Sequence, residues 1–375
     1  MKRKLSIIIP IYNEKEFIVQ LLTSIIEQYD YWGNKIPYNV YQLILVNNNS
    51  TDNSMKVVKE FLQSYKELTY YIINEEKQGI IPTRIKGFDF IRNKNISTEY
   101  VSSVDADVIL HRNWICKTLE IFETKCCDSI SYDGDYGCEF WSNVPELMKK
   151  YLNAVGTIYF DERTIKKFKL NKSHYAFTNK IFYDFIRPLS SACCSFRTES
   201  YFRAGGFFQE YDNNGNELLA ESWRLMFAMD RLNMKQVYIS EVPFITSPRR
   251  IIGNPKVYFG LNDNISERQN YRLIDNNNYA LINKLATEIS NFEEYQKEYI
   301  VKYYIIARCI TNSNLIQKNK NYFEGFLDAF KKYIDIFNSS LINNSVEIFD
   351  FSNELFIKYG KKIINNIENG VASNE

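Results

Sequence analysis

LSIIIPIY, residues 5–12, is a continuous run of β-branched and apolar residues. A strand with one wet face would alternate. A continuous run suits a parallel strand covered on both faces. Working outward, EFIVQLLTSIIEQY (16–29) spaces its apolar residues at the helical period. YQLILVNNNS (41–50) is a second buried strand ending in a polar turn, and DNSMKVVKEFLQSY (52–65) a helix with Asp52 or Ser50 near its N-cap. LTYYIINE (68–75) makes a third strand. IPTRIKGFDFIRN (81–93) makes a helix with Pro82 in its first turn. EYVSSVDADVIL (99–110) is a fourth strand. Four β-α steps in succession predict a doubly wound α/β sheet. Ligands in such sheets bind outside the carboxyl ends of the strands.

The remaining chain is less regular. CDSISYDGDY (127–136) suits a strand, and residues 141–185 look like an insertion of helices and loop that contains His174. SSACCSFRTESYFRAGGF (190–207) predicts a strand, a short helix and a Gly-Gly turn. ELLAESWRLMFAMDRLN (217–233) predicts a helix, and KQVYISEVPFITSPR (235–249) a further strand. From about residue 261 Asn, Lys, Ile and Tyr dominate. Helical spacing takes over in 293–310, 323–337 and 353–367. The expected division is therefore a domain over 1–250, in halves 1–110 and 111–250, and a small helical domain over 261–375.

The 375 residues, 45% hydrophobic and 15% aromatic, suffice for one large or two medium domains. Lys+Arg is 46 against Asp+Glu 45, which gives no argument for a nucleic-acid partner. MKRKLSIIIPIYNE opens with positive charge, but its apolar part is short, Pro10 interrupts it and no cleavage site follows, so a strand is expected rather than a signal peptide. No run approaches the ~20 apolar residues of a membrane span. The seven cysteines include two vicinal pairs, Cys126-Cys127 and Cys193-Cys194, with no CxxC spacing. They read as reduced thiols of a cytoplasmic protein. The two histidines, His111 and His174, have no ligand pattern around them, so zinc is not expected.

SVDADVIL (103–110) sets Asp105 and Asp107 inside an otherwise apolar run. Unpaired ionised carboxylates are too costly to leave in a core. Residues two apart in a strand share a face, about 6–7 Å apart. If the strand frays at the sheet's carboxyl edge, both acids point into the crevice. One Mg²⁺ or Mn²⁺ carrying a diphosphate would then neutralise them. The plainer alternative is two solvated acids at a strand end.

Four motifs in order, SIIIPIYNE, VNNNSTDNS, KQGIIPTRIKG and DAD, resemble those of the family 2 glycosyltransferases of GT-A fold. CCSFRTESYFRAGGF is similar to the segment that begins the family's acceptor half, and ESWRL (221–225) to its Glu-Asp-x-x-Leu motif, which supplies the catalytic base. The resemblance covers roughly residues 4–250. It implies a mixed, mostly parallel sheet and inverting, metal-assisted transfer from a nucleotide-diphosphate sugar to a hydroxyl of a glycan or lipid-linked acceptor. By the same resemblance Pro10, Tyr12 and Glu14 border the nucleotide pocket. Asn48 faces the base, with a UDP-sugar favoured and a GDP-sugar second. Arg84 holds the nucleotide side and balances the acids. Asp105 contacts ribose and metal, and Asp107 metal and diphosphate.

The sequence departs from the family where Ser222 stands at the usual aspartate. Glu221 is the expected base, with Glu217 and Glu210 as alternatives. SPRRIIGNPK (247–256) places Arg249, Arg250 and Lys256 in a loop that either closes over the diphosphate or forms a basic turn between domains. Phe207 and Trp223 either line the acceptor's apolar face or belong to the core. The departures leave a second reading, a GT-A domain that binds sugar nucleotide or glycan without turnover. A nucleotidyltransferase is disfavoured because PIYNEKE lacks the glycines of a phosphate-gripping loop. The C-terminal helices permit a homo-oligomer or peripheral docking at an inner membrane face, where polysaccharide or glycolipid is assembled.

Overall fold

β-Branched runs dictate the sheet. In the computed structural model, which describes residues 3–143, 189–211, 221–249, 297–298, 300–339 and 345–372, eight strands form one sheet: β1 Arg3–Ile11, β2 Tyr41–Asn47, β3 Tyr70–Asn74, β4 Thr98–Val104, β5 Val108–Ile109, β6 Ser129–Asp135, β7 Cys193–Arg197 and β8 Gln236–Thr246. Their order is β3-β2-β1-β4-β7-β6-β8-β5. β1 runs parallel to β2 and β4, and β2 parallel to β3, while β7 is antiparallel to both β4 and β6. The sheet is thus mixed and mostly parallel on its first side, as the motifs imply. Leu5–Ile11 are all buried, which is why that run carries no polar alternation.

Helices α1 Ile18–Ile26, α2 Ser54–Leu62 and α3 Ile80–Asn93 follow the first three strands. α1 buries Ile18, Leu21, Leu22, Ile25 and Ile26, one stripe at helical spacing. α3 lies close on the sheet because residue 87 is glycine: a Cβ there would sit 2.4 Å from Ile8 Cγ2 and 3.2 Å from Val46 Cγ2. Further on come α4 Trp114–Lys125, α5 Gly137–Asn143, α6 Thr198–Arg203 and α7 Glu221–Arg231.

The structure corrects one expectation that matters for the site. The fourth strand does not run to Leu110 but stops at Val104, where β4 pairs with Cys193 of β7. Asp105 N still donates to Ala192 O at 2.9 Å, and then the chain turns, with Val108 N donating to Asp105 O at 3.2 Å. Asp105 and Asp107 therefore sit on a turn, not on one face of a strand. Once the antiparallel partner ends, no ladder holds the backbone extended.

The chain divides into two compact units: Met1–Asp133 with Ile186–Phe244 and Ile342–Glu347, and Gly134–Phe185 with Ile245–Leu341 and Ile348–Glu375. The second contains α8 Ala307–Thr311, α9 Ser313–Lys318, α10 Leu327–Ser339 and, from Ile348 onward, α11 Ser345–Ala372. There Phe326 stacks on Tyr359 at 5.0 Å between ring centroids, beside Phe323 and Phe330. No helix among the described residues is long and apolar enough to cross a membrane. Most of the expected insertion, 144–185, lies outside the described residues, as do Glu217, Arg250 and Lys256.

Candidate active site

The parallel register brings Ile11 beside Asn47 and Asn47 beside Asn74, so the loops after β1, β2 and β3 leave the sheet at one edge. Polar side chains then tie these loops together. Asn13 takes a positive φ of 55°, which asparagine tolerates, and its Oδ1 accepts from Thr51 N at 2.7 Å. Ser54 Oγ accepts from Glu14 N at 2.7 Å, and Asp52 Oδ2 from Lys15 N at 3.3 Å. Pro10 is buried within β1 opposite Val46. Tyr12 and Glu14 follow it, half-buried, in the loop.

Asn48 is 2% exposed. Its Nδ2 donates to Glu75 O at 2.9 Å and Lys77 O at 2.7 Å, and its Oδ1 accepts from Gln78 Nε2 at 3.1 Å and Gly79 N at 2.8 Å. An amide offers two donors and two acceptor lone pairs. All four are engaged by the loop after β3, so Asn48, expected from the motifs to face the base, here ties that loop to the end of β2. That loop ends at Gly79, whose φ of 136° no side chain adopts readily and which caps α3.

One turn into α3 stands Arg84, 1% exposed and the charge at the centre of the site. Its Nη2 donates to Asp105 Oδ1 at 2.6 Å and to Ser191 O at 2.8 Å, and its Nη1 donates to Glu221 Oε1. The Phe207 ring lies 5.8 Å from its Cζ. Burial works against the guanidinium charge. The adjoining carboxylates of Asp105 and Glu221 outweigh it and hold the Arg84 pKa above its ordinary value. Beside it, burial pushes the Cys194 thiol up to about 12. Arg84 is expected from the motifs to hold the nucleotide side. At 1% exposure it joins two carboxylates from distant parts of the chain.

Those carboxylates are the ones the motifs single out. Asp105 follows β4, its side chain 17% exposed. Glu221 occupies the first turn of α7, its side chain 7% exposed. Asp107 lies half-buried on the same turn as Asp105. One cation against two carboxylates leaves Arg84, Asp105 and Glu221 with an excess of negative charge. The donors on the turn are all hard carboxylate oxygens, which suit Mg²⁺ or Mn²⁺. Such ions are commonly held by one or two carboxylates, with substrate phosphates completing the shell. Among the described residues no group of three His, Cys, Asp or Glu is placed to hold a metal ion.

The other candidates separate. Glu210 faces Arg224 of α7, Oε2 to Nε at 3.6 Å, and is thereby engaged. Phe207 is buried in an aromatic cluster with Phe88, Phe196 and Tyr201, so it belongs to the core. Trp223 is half-buried beside Phe227. Arg249 is half-buried in the second unit, its N donating to Ser247 Oγ at 3.3 Å. A contact without a sequence signal is Lys77, whose Nζ donates to Gln209 Oε1 and, at 3.3 Å, to Tyr211 Oη. It clasps the loop after β3 to residues 209–211, and partners 132 and 134 positions away leave no local trace.

Residues 6–189 match the model of Glycosyl transferase family 2. The chain belongs to that family. Among family relatives it is 27% identical over 161 residues to Glycosyltransferase GlyA of Streptococcus pneumoniae serotype 4, covering 42% of this chain and 20% of that protein. It is 26% identical over 184 residues to Uncharacterized glycosyltransferase MG025 of Mycoplasma genitalium, covering 48% of this chain and 54% of that one. The matches thus span from a fifth to about half the length of these relatives. Among solved structures, the mannosyltransferase PcManGT from Pyrobaculum calidifontis, in complex with GDP-Man and Mn²⁺, is similar at a TM-score of 0.47 and 12% identity. That similarity covers 99% of this chain and 80% of the other.

Proposed function

We propose that this chain is an inverting glycosyltransferase that moves a sugar from a nucleotide-diphosphate donor to a hydroxyl of a glycan or lipid-linked acceptor. The observation that carries the reading is the buried Arg84 pairing Asp105, at the carboxyl end of β4, with Glu221, at the start of α7, inside a family 2 chain. Glu221 is the base: its carboxylate takes the proton of the acceptor hydroxyl as that oxygen attacks the anomeric carbon. The bond from that carbon to the diphosphate oxygen breaks, and its electron pair leaves with the nucleoside diphosphate. Attack from the face opposite the leaving group inverts the configuration. Asp105 and Asp107 would hold Mg²⁺ or Mn²⁺, which when bound supplies positive charge to the diphosphate. With the Asn48 amide occupied, the base is recognised by other groups of the loops after β1 and β2. A UDP-sugar is the favoured donor and a GDP-sugar the second.

Donor hydrolysis and transfer are measured with UDP-glucose, UDP-N-acetylglucosamine and GDP-mannose in the presence of Mn²⁺. The reading expects nucleoside diphosphate release with one of them, and a loss of at least about a hundredfold in Glu221→Gln, the scale of a positioned base. Donor binding without release in the wild type would instead identify a domain that binds sugar nucleotide and does not turn it over.

A further inference from the structure

Arg84 is a full charge with almost no solvent contact. Its hydrogen bonds go to Asp105, Glu221 and the backbone carbonyl of Ser191. Its Nε has no partner, so the side chain is held only through its two terminal nitrogens. One of those nitrogens sits on an oxygen of the very carboxylate that would ligate a divalent cation. Two cations sharing one carboxylate repel each other, and the repulsion is strong where water is excluded. Glu221, on the other terminal nitrogen, offers the guanidinium somewhere to put its charge.

We infer that Arg84 is a positioning residue that acts as a resident counter-cation, dividing its charge between Asp105 and Glu221, so that divalent-cation binding at Asp105 shifts Arg84 toward Glu221 and steadies that carboxylate. The inference rests on the proposed cation site at Asp105 and Asp107. Arg84 needs no contact with donor or acceptor to do this. The guanidinium that Asp105 and Glu221 share before a divalent cation binds becomes chiefly the partner of Glu221 afterwards. Linkage makes the effect reciprocal: whatever weakens the Arg84–Asp105 pair strengthens cation binding, and whatever strengthens that pair weakens it.

The test reads Mn²⁺ affinity by electron paramagnetic resonance, with and without UDP, and needs no turnover. Arg84→Met alone would leave Glu221 buried without a cation and endangers folding. The central variant is therefore Arg84→Met with Glu221→Gln, which removes one charge of each sign and leaves the net charge unchanged. Its fold is checked by circular dichroism. The expected result is Mn²⁺ binding at least about tenfold tighter than in the wild type, because Asp105 is released from its competitor. Glu221→Gln alone, which leaves Arg84 with Asp105 as its carboxylate partner, is expected to bind Mn²⁺ several-fold more weakly. Unchanged or weaker binding in the double variant overturns the inference while leaving the cation site standing. Absence of Mn²⁺ binding in wild type and double variant alike, with UDP present, overturns both the site and the inference.

Discussion

Replacing Asn48 by leucine, a side chain of similar shape, removes four hydrogen bonds of 2.7–3.1 Å at a position that is 2% exposed. Gln78 is exposed and its amide returns to water at little cost. The carbonyls of Glu75 and Lys77 and the N–H of Gly79 lose their side-chain partner, and each such bond contributes about 1 kcal/mol net. The sum is a loss of about 2–4 kcal/mol, which falls first on the loop after β3 and on the entry to α3. Since about 1.4 kcal/mol is a factor of ten, amide exchange in a peptide spanning residues 75–84 should quicken by roughly 30- to 1,000-fold. Hydrogen exchange followed by mass spectrometry reads this directly, and a fall in the urea midpoint accompanies it. Asn48→Asp is the sharper variant. It keeps the acceptor for Gly79 N but sets carboxylate oxygens against the Glu75 and Lys77 carbonyls, so it should be at least as damaging as leucine. Unchanged exchange over 75–84 in both variants would refute the assignment of Asn48 to the loop.

Three other outcomes are expected. Gly87→Ala forces a methyl group to 2.4 Å from Ile8 Cγ2 and should cost about 1–3 kcal/mol in urea denaturation, by lifting α3 from the sheet. Tyr132→Phe breaks a buried hydroxyl chain, in which Tyr132 Oη meets Thr118 Oγ1 at 2.7 Å and Ser195 Oγ at 2.6 Å, and should cost about 1–3 kcal/mol by the same measurement. Burial raises the Cys194 thiol to about 12 and the Cys127 thiol to about 11, against an ordinary 9.0. Both stay protonated in the fold while the unfolded chain ionises, so their stabilising contribution is full below pH 9 and is lost as pH rises from 9 toward 12. A thiol reagent at pH 8 should accordingly modify exposed Cys126 and spare Cys127, Cys193 and Cys194 until the protein unfolds.

Much of the first half was legible because its signals are local. A buried parallel strand declares itself by continuous β-branching, as in residues 5–12. An amphipathic helix does so by its stripe, as in α1. The ends of elements were less legible: the fourth strand stops at Val104 because Cys193, the last partner in its ladder, stops there, and that partner comes from far along the chain. Phe207 shows the same limit from the other side. Its spacing suits a sugar platform as well as a core, and only the surrounding rings of Phe88, Phe196 and Tyr201 decide.

By itself the amino-acid order determined the run of strands and helices and the family, and it singled out Arg84, Asp105, Asp107 and Glu221 as candidates. Which of them meet was a tertiary decision. Arg84 lies 21 positions from Asp105 and 137 from Glu221, and no periodicity reaches across such intervals. Folding the β-α units into a sheet brings α3, the end of β4 and the start of α7 to one place, and burial there makes a single guanidinium the shared partner of two carboxylates. Asn48 shows the same rule in miniature: its type suited a ligand and a loop equally, and the four backbone and side-chain groups that close around it chose the loop.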